Sequence, residues 1–276
     1  MCKECGCDGF ETVESSAGNS AQENEHPHTH KHADGTEFVH VHDHDHVNVR
    51  GHAHDDTHSP VTRTVQIETR VLAHNDRIAA DNRAWLARRG TIALNLISSP
   101  GTGKTLLLEK TIMRLRDRIP IAVIAADQYT DNDKRRLAAT GVPVEQIETN
   151  SACHLDAERV AGVLPGLVRP GIRLLFIENV GNLVCPAAFD LGETFKVALL
   201  STTEGEDKPV KYPTLFTAAQ VVVLTKTDLI PHLDWDLAKC RGYIQSVHPG
   251  VFVFEVSAKT GDGMDLWCNY LERLLI

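Results

Sequence analysis

The sequence predicts an α/β chain in which a mostly parallel sheet is flanked by helices, behind a disordered Cys- and His-rich N-terminal extension. Three observations predict it. From about residue 64 onward, apolar and β-branched runs alternate with stretches of helical spacing. One run, Thr91-Ile-Ala-Leu-Asn-Leu-Ile, leads directly into Ser98-Ser-Pro-Gly-Thr-Gly-Lys-Thr105 and then Leu106-Leu-Leu-Glu-Lys. Residues 8–63, by contrast, show no periodic apolar spacing and carry only Phe10 and Phe38 as aromatics. Two units follow: a largely disordered metal-binding segment, 1–63, and an α/β domain, 64–276.

Charge separates the same two units. The chain carries 28 Lys and Arg against 37 Asp and Glu, a net charge of −9. Residues 1–63 hold four of those bases and twelve of those acids, so the remainder is close to neutral. An anionic extension argues against nucleic acid or an anionic membrane as partner, because both call for clustered Lys and Arg. No apolar run approaches the roughly 18 residues of a membrane span, and no signal-peptide apolar region opens the chain, so a cytoplasmic protein is expected. In that compartment the 7 Cys stay reduced, and their clustering points to metal or redox chemistry.

The chain begins with Cys2-Lys-Glu-Cys5-Gly-Cys7. Three thiols in six residues, with Gly6 permitting a fold-back, can surround one soft ion, and a backbone or terminal nitrogen can complete a square-planar N/S site. Downstream, eleven of the 15 His lie between His26 and His58, mostly at every second residue and interleaved with Asp43, Asp45, Asp55 and Asp56. Imidazoles suit Ni, Zn and Cu, and carboxylates lower the cost of concentrating cations, so storage of several ions is expected. A helix then runs from about Thr64 to Gly90, with Ile67, Val71, Ile78 and Trp85 on one stripe and Leu72, Ala79 and Leu86 beside it.

The Ser98 to Thr105 stretch has the strand–loop–helix setting of a phosphate-binding P-loop. Gly101 and Gly103 let backbone N–H groups turn toward an anion, and the following helix adds its unpaired N–H groups and the positive end of its dipole. Gly101, Thr102, Gly103, Lys104, Thr105 and Leu106 are therefore nucleotide-binding candidates, with Lys104 reaching the β- and γ-phosphates and Thr105 ligating Mg²⁺. Ser98 stands where the motif has its first Gly. The next helix buries Leu108, Ile112, Leu115 and Ile119 and ends at Pro120. Strands follow at 121–125, 144–148, 172–177, 197–200, 220–224 and 251–256, with helices near 154–164, 235–247 and 263–275.

Ligands of such sheets sit at the carboxyl ends of the strands. Thr225-Lys226-Thr227-Asp228 closes one strand and matches the guanine-reading element of GTPases, in which the Asp accepts from guanine and adenine would leave a buried carboxylate unpaired. Ser257-Ala258-Lys259 closes the last strand and supplies a backbone contact to guanine O6. Together they favour GTP over ATP. Asp127 is a candidate for the Mg²⁺ shell, and Glu178, in Glu178-Asn-Val-Gly181, is a candidate metal-side carboxylate or water-positioning group. Cys153-His154 and Cys185-Pro186 lie at the same edge and could ligate one metal whose affinity follows the nucleotide. Cys240 and Cys268, inside helical patterns, read as inert buried thiols.

These motifs, in this order, resemble the HypB family, GTPases of nickel incorporation in nickel–iron hydrogenase maturation. The resemblance implies a P-loop GTPase of the SIMIBI class acting as a nucleotide-dependent homodimer. It also implies a high-affinity nickel site at Cys2, Cys5 and Cys7 and a weaker nickel or zinc site at Cys153, His154 and Cys185. Implied partners are a HypA-type zinc-bearing metallochaperone and the hydrogenase large subunit. A Lys from the opposite subunit approaches the nucleotide in the family, and Lys208 or Lys211 would match. Cys185-Pro186 is followed by Ala187, unlike the Cys-Pro-His of the urease GTPase UreG, and no Cys-x-Cys-Cys of the zinc-handling relatives follows the P-loop.

Overall fold

A computed structural model describes residues 28–31, 37–40, 60–127, 132–149 and 154–275, with side chains from Arg70 onward other than that of Asp127. Two compact units divide it, Met1–Arg63 and Thr64–Ile276. In the first, β1 (His28–Lys31) pairs antiparallel with β2 (Glu37–His40), setting His28 opposite His40 and His30 opposite Phe38. This short hairpin lies within the segment expected to be largely disordered. The alternation of His with other residues has the two-residue period of a strand.

The second unit is built on a seven-stranded sheet in the order β5-β4-β6-β3-β7-β8-β9. Its strands are β3 (Ile92–Ser98), β4 (Ile121–Asp127), β5 (Val144–Glu148), β6 (Leu174–Gly181), β7 (Phe195–Ser201), β8 (Ala219–Thr225) and β9 (Phe252–Val256). Every neighbouring pair is parallel, so the sheet is wholly rather than mostly parallel. Such a sheet is stable only with both faces covered, which explains the near-continuous apolar strands.

Alternate residues supply the two faces. Leu94, Leu96, Phe176, Val197 and Leu199 meet α2 (Lys104–Leu115), α3 (Asn132–Ala138) and α9 (Met264–Arg273), with Trp267 wholly buried among them. Ala93, Ile124, Leu175 and Ile177 face α4 (Ala157–Leu167) and the end of α1 (Pro60–Ala87). On that same side Ile97, Ala198, Leu200 and Val222 pack under α7 (Pro213–Ala218) and α8 (Leu237–Val247). Two single-turn helices, α5 (Cys185–Ala188) and α6 (Lys208–Lys211), complete the set and, with α3 and α7, were not foreseen. Each is short, and only packing against the sheet makes so brief a helix stable. Helix α4 runs through Pro165 to Leu167, because a missing N–H in the last turn forfeits only one bond.

Helix α1 corrects the predicted stripe. Val71 is exposed, and the residues turned inward are Asn75, Ala79, Asn82 and Leu86. Their three- and four-residue spacing is that of a buried helix face. Two amides occupy it, and an apolar count overlooks amides. Asn82 Nδ2 donates to the carbonyls of Ala157 and Leu191 at 2.8 and 3.1 Å; Asn75 donates to Asp190 O and accepts from Ala157 N.

Candidate functional site

Strands β3 and β6 run side by side and end together, with Ser98 paired to Gly181. Between them and α2 opens a cavity of about 450 Å³ lined by Gly101, Gly103, Lys104, Thr105, Leu106 and Glu178, among others. Gly101 and Gly103 have φ of 72° and 100°, the left-handed region where a side chain is strained, so the turn that aims the backbone N–H groups inward needs glycine. Gly181 meets a different demand: a Cβ there would lie 2.9 Å from Pro100 of the loop. Ser98 is buried where the motif has Gly, and its hydroxyl accepts from Lys104 Nζ at 2.9 Å. The hydroxyl thus holds the ammonium group at the mouth of the cavity. Burial lowers the pKa of Lys104, against the opposing pull of Glu178, Asp133 and Glu204.

Glu178 lies inside β6 rather than after it, 3% exposed. Thr105 Oγ1 donates to its Oε1 at 2.7 Å. Burial raises its pKa from 4.5 to about 7, although the Thr105 bond and Lys104 both pull downward. Its Oε2 is buried and has no hydrogen-bond partner among the described residues. A hydroxyl beside a carboxylate with a free buried oxygen, at a phosphate cavity, is a donor set that fits a hard divalent cation such as Mg²⁺. Asp127 ends β4, while its side chain lies outside the described residues. Asp133 and Arg136 of α3 also line the cavity, and sequence reasoning missed both because it did not place α3.

A second cavity, about 240 Å³, adjoins the first on the other side of the loop and is lined by Thr102, Gly103, Leu106, Thr225, Lys226, Asp228, Ala258 and Lys259, among others. Lys226 Nζ donates to Gly101 O at 2.7 Å, so its stem lies along the P-loop. Among the described residues it alone is a non-glycine with positive φ, at 59°, a conformation that persists where surrounding structure holds it. Thr225 Oγ1 donates to Thr102 O, and Ser257 Oγ donates to Asp228 Oδ1, each at 2.7 Å. The structure therefore brings Gly101 to Leu106, Thr225, Lys226, Asp228, Ala258 and Lys259 to one edge, with Ser257 orienting the carboxylate.

Glu204 was not foreseen. Its Oε1 accepts from Thr102 Oγ1 at 2.8 Å and from Ser201 N at 3.2 Å, which ties the loop after β7 to the P-loop. Lys208 Nζ lies 3.5 Å from Glu204 and from Ser99 Oγ, whereas Lys211 pairs with Asp207 at the surface.

Cys2, Cys5, Cys7 and Cys153 lie outside the described residues. His154 is half-buried, its ring centroid 3.8 Å from that of Phe189, and burial lowers its pKa. Phe189 follows α5 directly, and α5 opens on the free thiol of Cys185. The segments bearing His154 and Cys185 thus meet. Burial pushes the thiols of Cys240 and Cys268 up to about 12 and about 11, as inert cysteines require. Among the described residues no helix is long and apolar enough to cross a membrane.

Comparison with known proteins agrees with this geometry. Residues 92–255 match the model of the CobW/HypB/UreG nucleotide-binding domain. The chain is 51% identical to the hydrogenase maturation factor HypB of Escherichia coli K12 over 225 residues, 80% of this chain and 78% of that protein. It is 55% identical to HypB of Azotobacter chroococcum over 212 residues, 77% of this chain and 70% of that one. Among solved structures, HypB of Archaeoglobus fulgidus is similar at a TM-score of 0.70 and 37% identity, covering 74% of this chain and 100% of that one. HypB of Helicobacter pylori, solved in complex with nickel, is similar at a TM-score of 0.70 and 34% identity, covering 73% of this chain and 95% of that one. The P-loop cavity, the base-side cavity and these likenesses converge: the chain belongs to the CobW/HypB/UreG family, among its HypB hydrogenase maturation factors.

Proposed function

We propose that the chain is a GTP-hydrolysing nickel metallochaperone that delivers Ni(II) to the large subunit of nickel–iron hydrogenase. The observation that carries the reading is the shared sheet edge, where a buried Lys104–Thr105–Glu178 cluster stands beside Asp228 held by Ser257. The P-loop N–H groups and Lys104 hold the phosphates and stabilise charge developing on the transferred group. Asp228 accepts from the guanine N1–H and amine, and the Lys226 stem covers the ring. Thr105, with Glu178 and Asp127, would hold a Mg²⁺, which would supply neutralisation of the phosphate charge. Glu178, which lines the cavity, serves as that metal-side carboxylate or orients the attacking water, and hydrolysis yields GDP and phosphate.

Nickel is the cargo. The segment Cys2, Cys5 and Cys7 takes it first, the His-rich tract stores more, and an inner site at Cys153, His154 and Cys185 takes nickel or zinc and responds to the nucleotide. The working form is a cytoplasmic homodimer that receives metal from a HypA-type partner. The test is turnover with GTP and ATP side by side. GTP is expected to be hydrolysed at least about 10²-fold faster than ATP, Lys104→Ala to abolish turnover of both, and Asp228→Ala to abolish the preference for GTP. Equal turnover of the two nucleotides would overturn the reading.

A further inference from the structure

Two amides in the middle of the sheet and a carboxylate just before β7 form a buried polar chain, where apolar residues would be more stable. Asn95 of β3 and Asn179 of β6 are fully buried, and Glu193 is 3% exposed. Asn179 Nδ2 donates to Asn95 Oδ1 at 3.2 Å, and Asn95 Nδ2 donates to Glu193 Oε1 at 3.2 Å. Lys196 Nζ donates to the same oxygen at 2.7 Å and to Phe189 O at 3.1 Å, while Glu193 Oε2 accepts from Leu191 N at 2.6 Å. The chain is continuous and every link is satisfied.

Its two ends lie at the two sites. At one end Asn179 lines the phosphate cavity between Glu178 and Gly181, and its Oδ1 accepts from Val180 N at 3.0 Å. At the other end Phe189 and Leu191 follow Cys185 by four and six residues, and the Phe189 ring lies against His154. A change in the backbone at Glu178 to Gly181 would turn the Asn179 amide, and Asn95 Oδ1 would then lose its donor while Asn179 Nδ2 lost its acceptor. Buried polar groups tolerate few arrangements, because each lost partner leaves an unpaired group, so the chain is a two-position device rather than a flexible spring.

We propose that Asn95 and Glu193 are positioning residues that link occupancy of the phosphate cavity to the segment from Cys185 to Glu193. This rests on the nucleotide reading above. Asn95 itself touches neither site, so replacing it breaks the link while leaving both ends in place.

The experiment is amide hydrogen exchange on the full chain, saturated with GDP or with a non-hydrolysable GTP analogue, with no added metal, comparing wild type with Asn95→Leu. Exchange across residues 185–193 in the wild type is expected to differ between the two nucleotides by about 5-fold or more, and Asn95→Leu to remove the difference while nucleotide affinities hold. Asn95→Ser, smaller and able to keep one hydrogen bond, serves if the Leu variant does not fold, and the same loss is expected of it. A difference that persists in the folded variant, or its absence in wild type with both nucleotides bound, overturns the inference. Failure of the wild type to bind guanine nucleotides would instead overturn the reading beneath it.

Discussion

At the scale of single residues, the site turns on side chains buried at a cost. Asp228 is oriented by Ser257, so Asp228→Asn should lower GTP affinity by about 10²-fold or more and raise xanthosine triphosphate affinity, by exchanging an acceptor for a donor. Competition binding with the two triphosphates checks this. Glu178 offers a second test, through pH. Its folded pKa, about 7, lies above the ordinary 4.5, so the folded state holds the proton more tightly. The stability it contributes is complete below 4.5 and lost as pH rises through about 7, a swing on the order of 3 kcal/mol. Urea unfolding of the chelator-treated, nucleotide-free protein at pH 5 and pH 8 should show that swing in wild type and not in Glu178→Gln. Lys104, Thr105 and Asp228 could be named as candidates because each belongs to a contiguous motif, and each lines one of the two cavities. Glu204, Asn95 and Glu193 were not, since their partners are brought to them only by the fold.

At the scale of elements, strands were easier to read than helices. Short, β-branched apolar runs bounded by turn residues read as buried strands, and all seven core strands lie within a few residues of their expected positions. Helix α1 shows the limit. Its inner face includes Asn75 and Asn82, chosen for the carbonyls and the N–H they pair rather than for apolar surface, so its phase was misread from apolar residues alone. Gly192 marks how close that helix comes: a Cβ there would meet Asn82 Cβ at 2.5 Å. Asn82→Ala should therefore cost about 1–3 kcal/mol, by stranding the Ala157 and Leu191 carbonyls, and urea unfolding with an unchanged slope would show it. A change below about 0.5 kcal/mol would mean that the pairing is incidental.

At the scale of the whole molecule, one sheet edge carries the P-loop cavity, the cavity lined by Lys226 and Asp228, and the meeting point of the His154 and Cys185 segments. All three were expected at the strand ends, the first two from contiguous motifs; the Phe189 contact and α5, through which the third is made, have no local pattern that announces them. The central claim of the proposed function is that nucleotide state and metal affinity depend on one another. Such coupling is reciprocal: if GTP alters nickel affinity, nickel must alter the preference for GTP over GDP by the same factor. The most direct measurement is the affinity ratio of a non-hydrolysable GTP analogue to GDP on the full chain, with and without saturating nickel. The account predicts that nickel shifts the ratio by about 5-fold or more in wild type and leaves it unchanged in Cys185→Ser. A ratio indifferent to nickel in the wild type would contradict it.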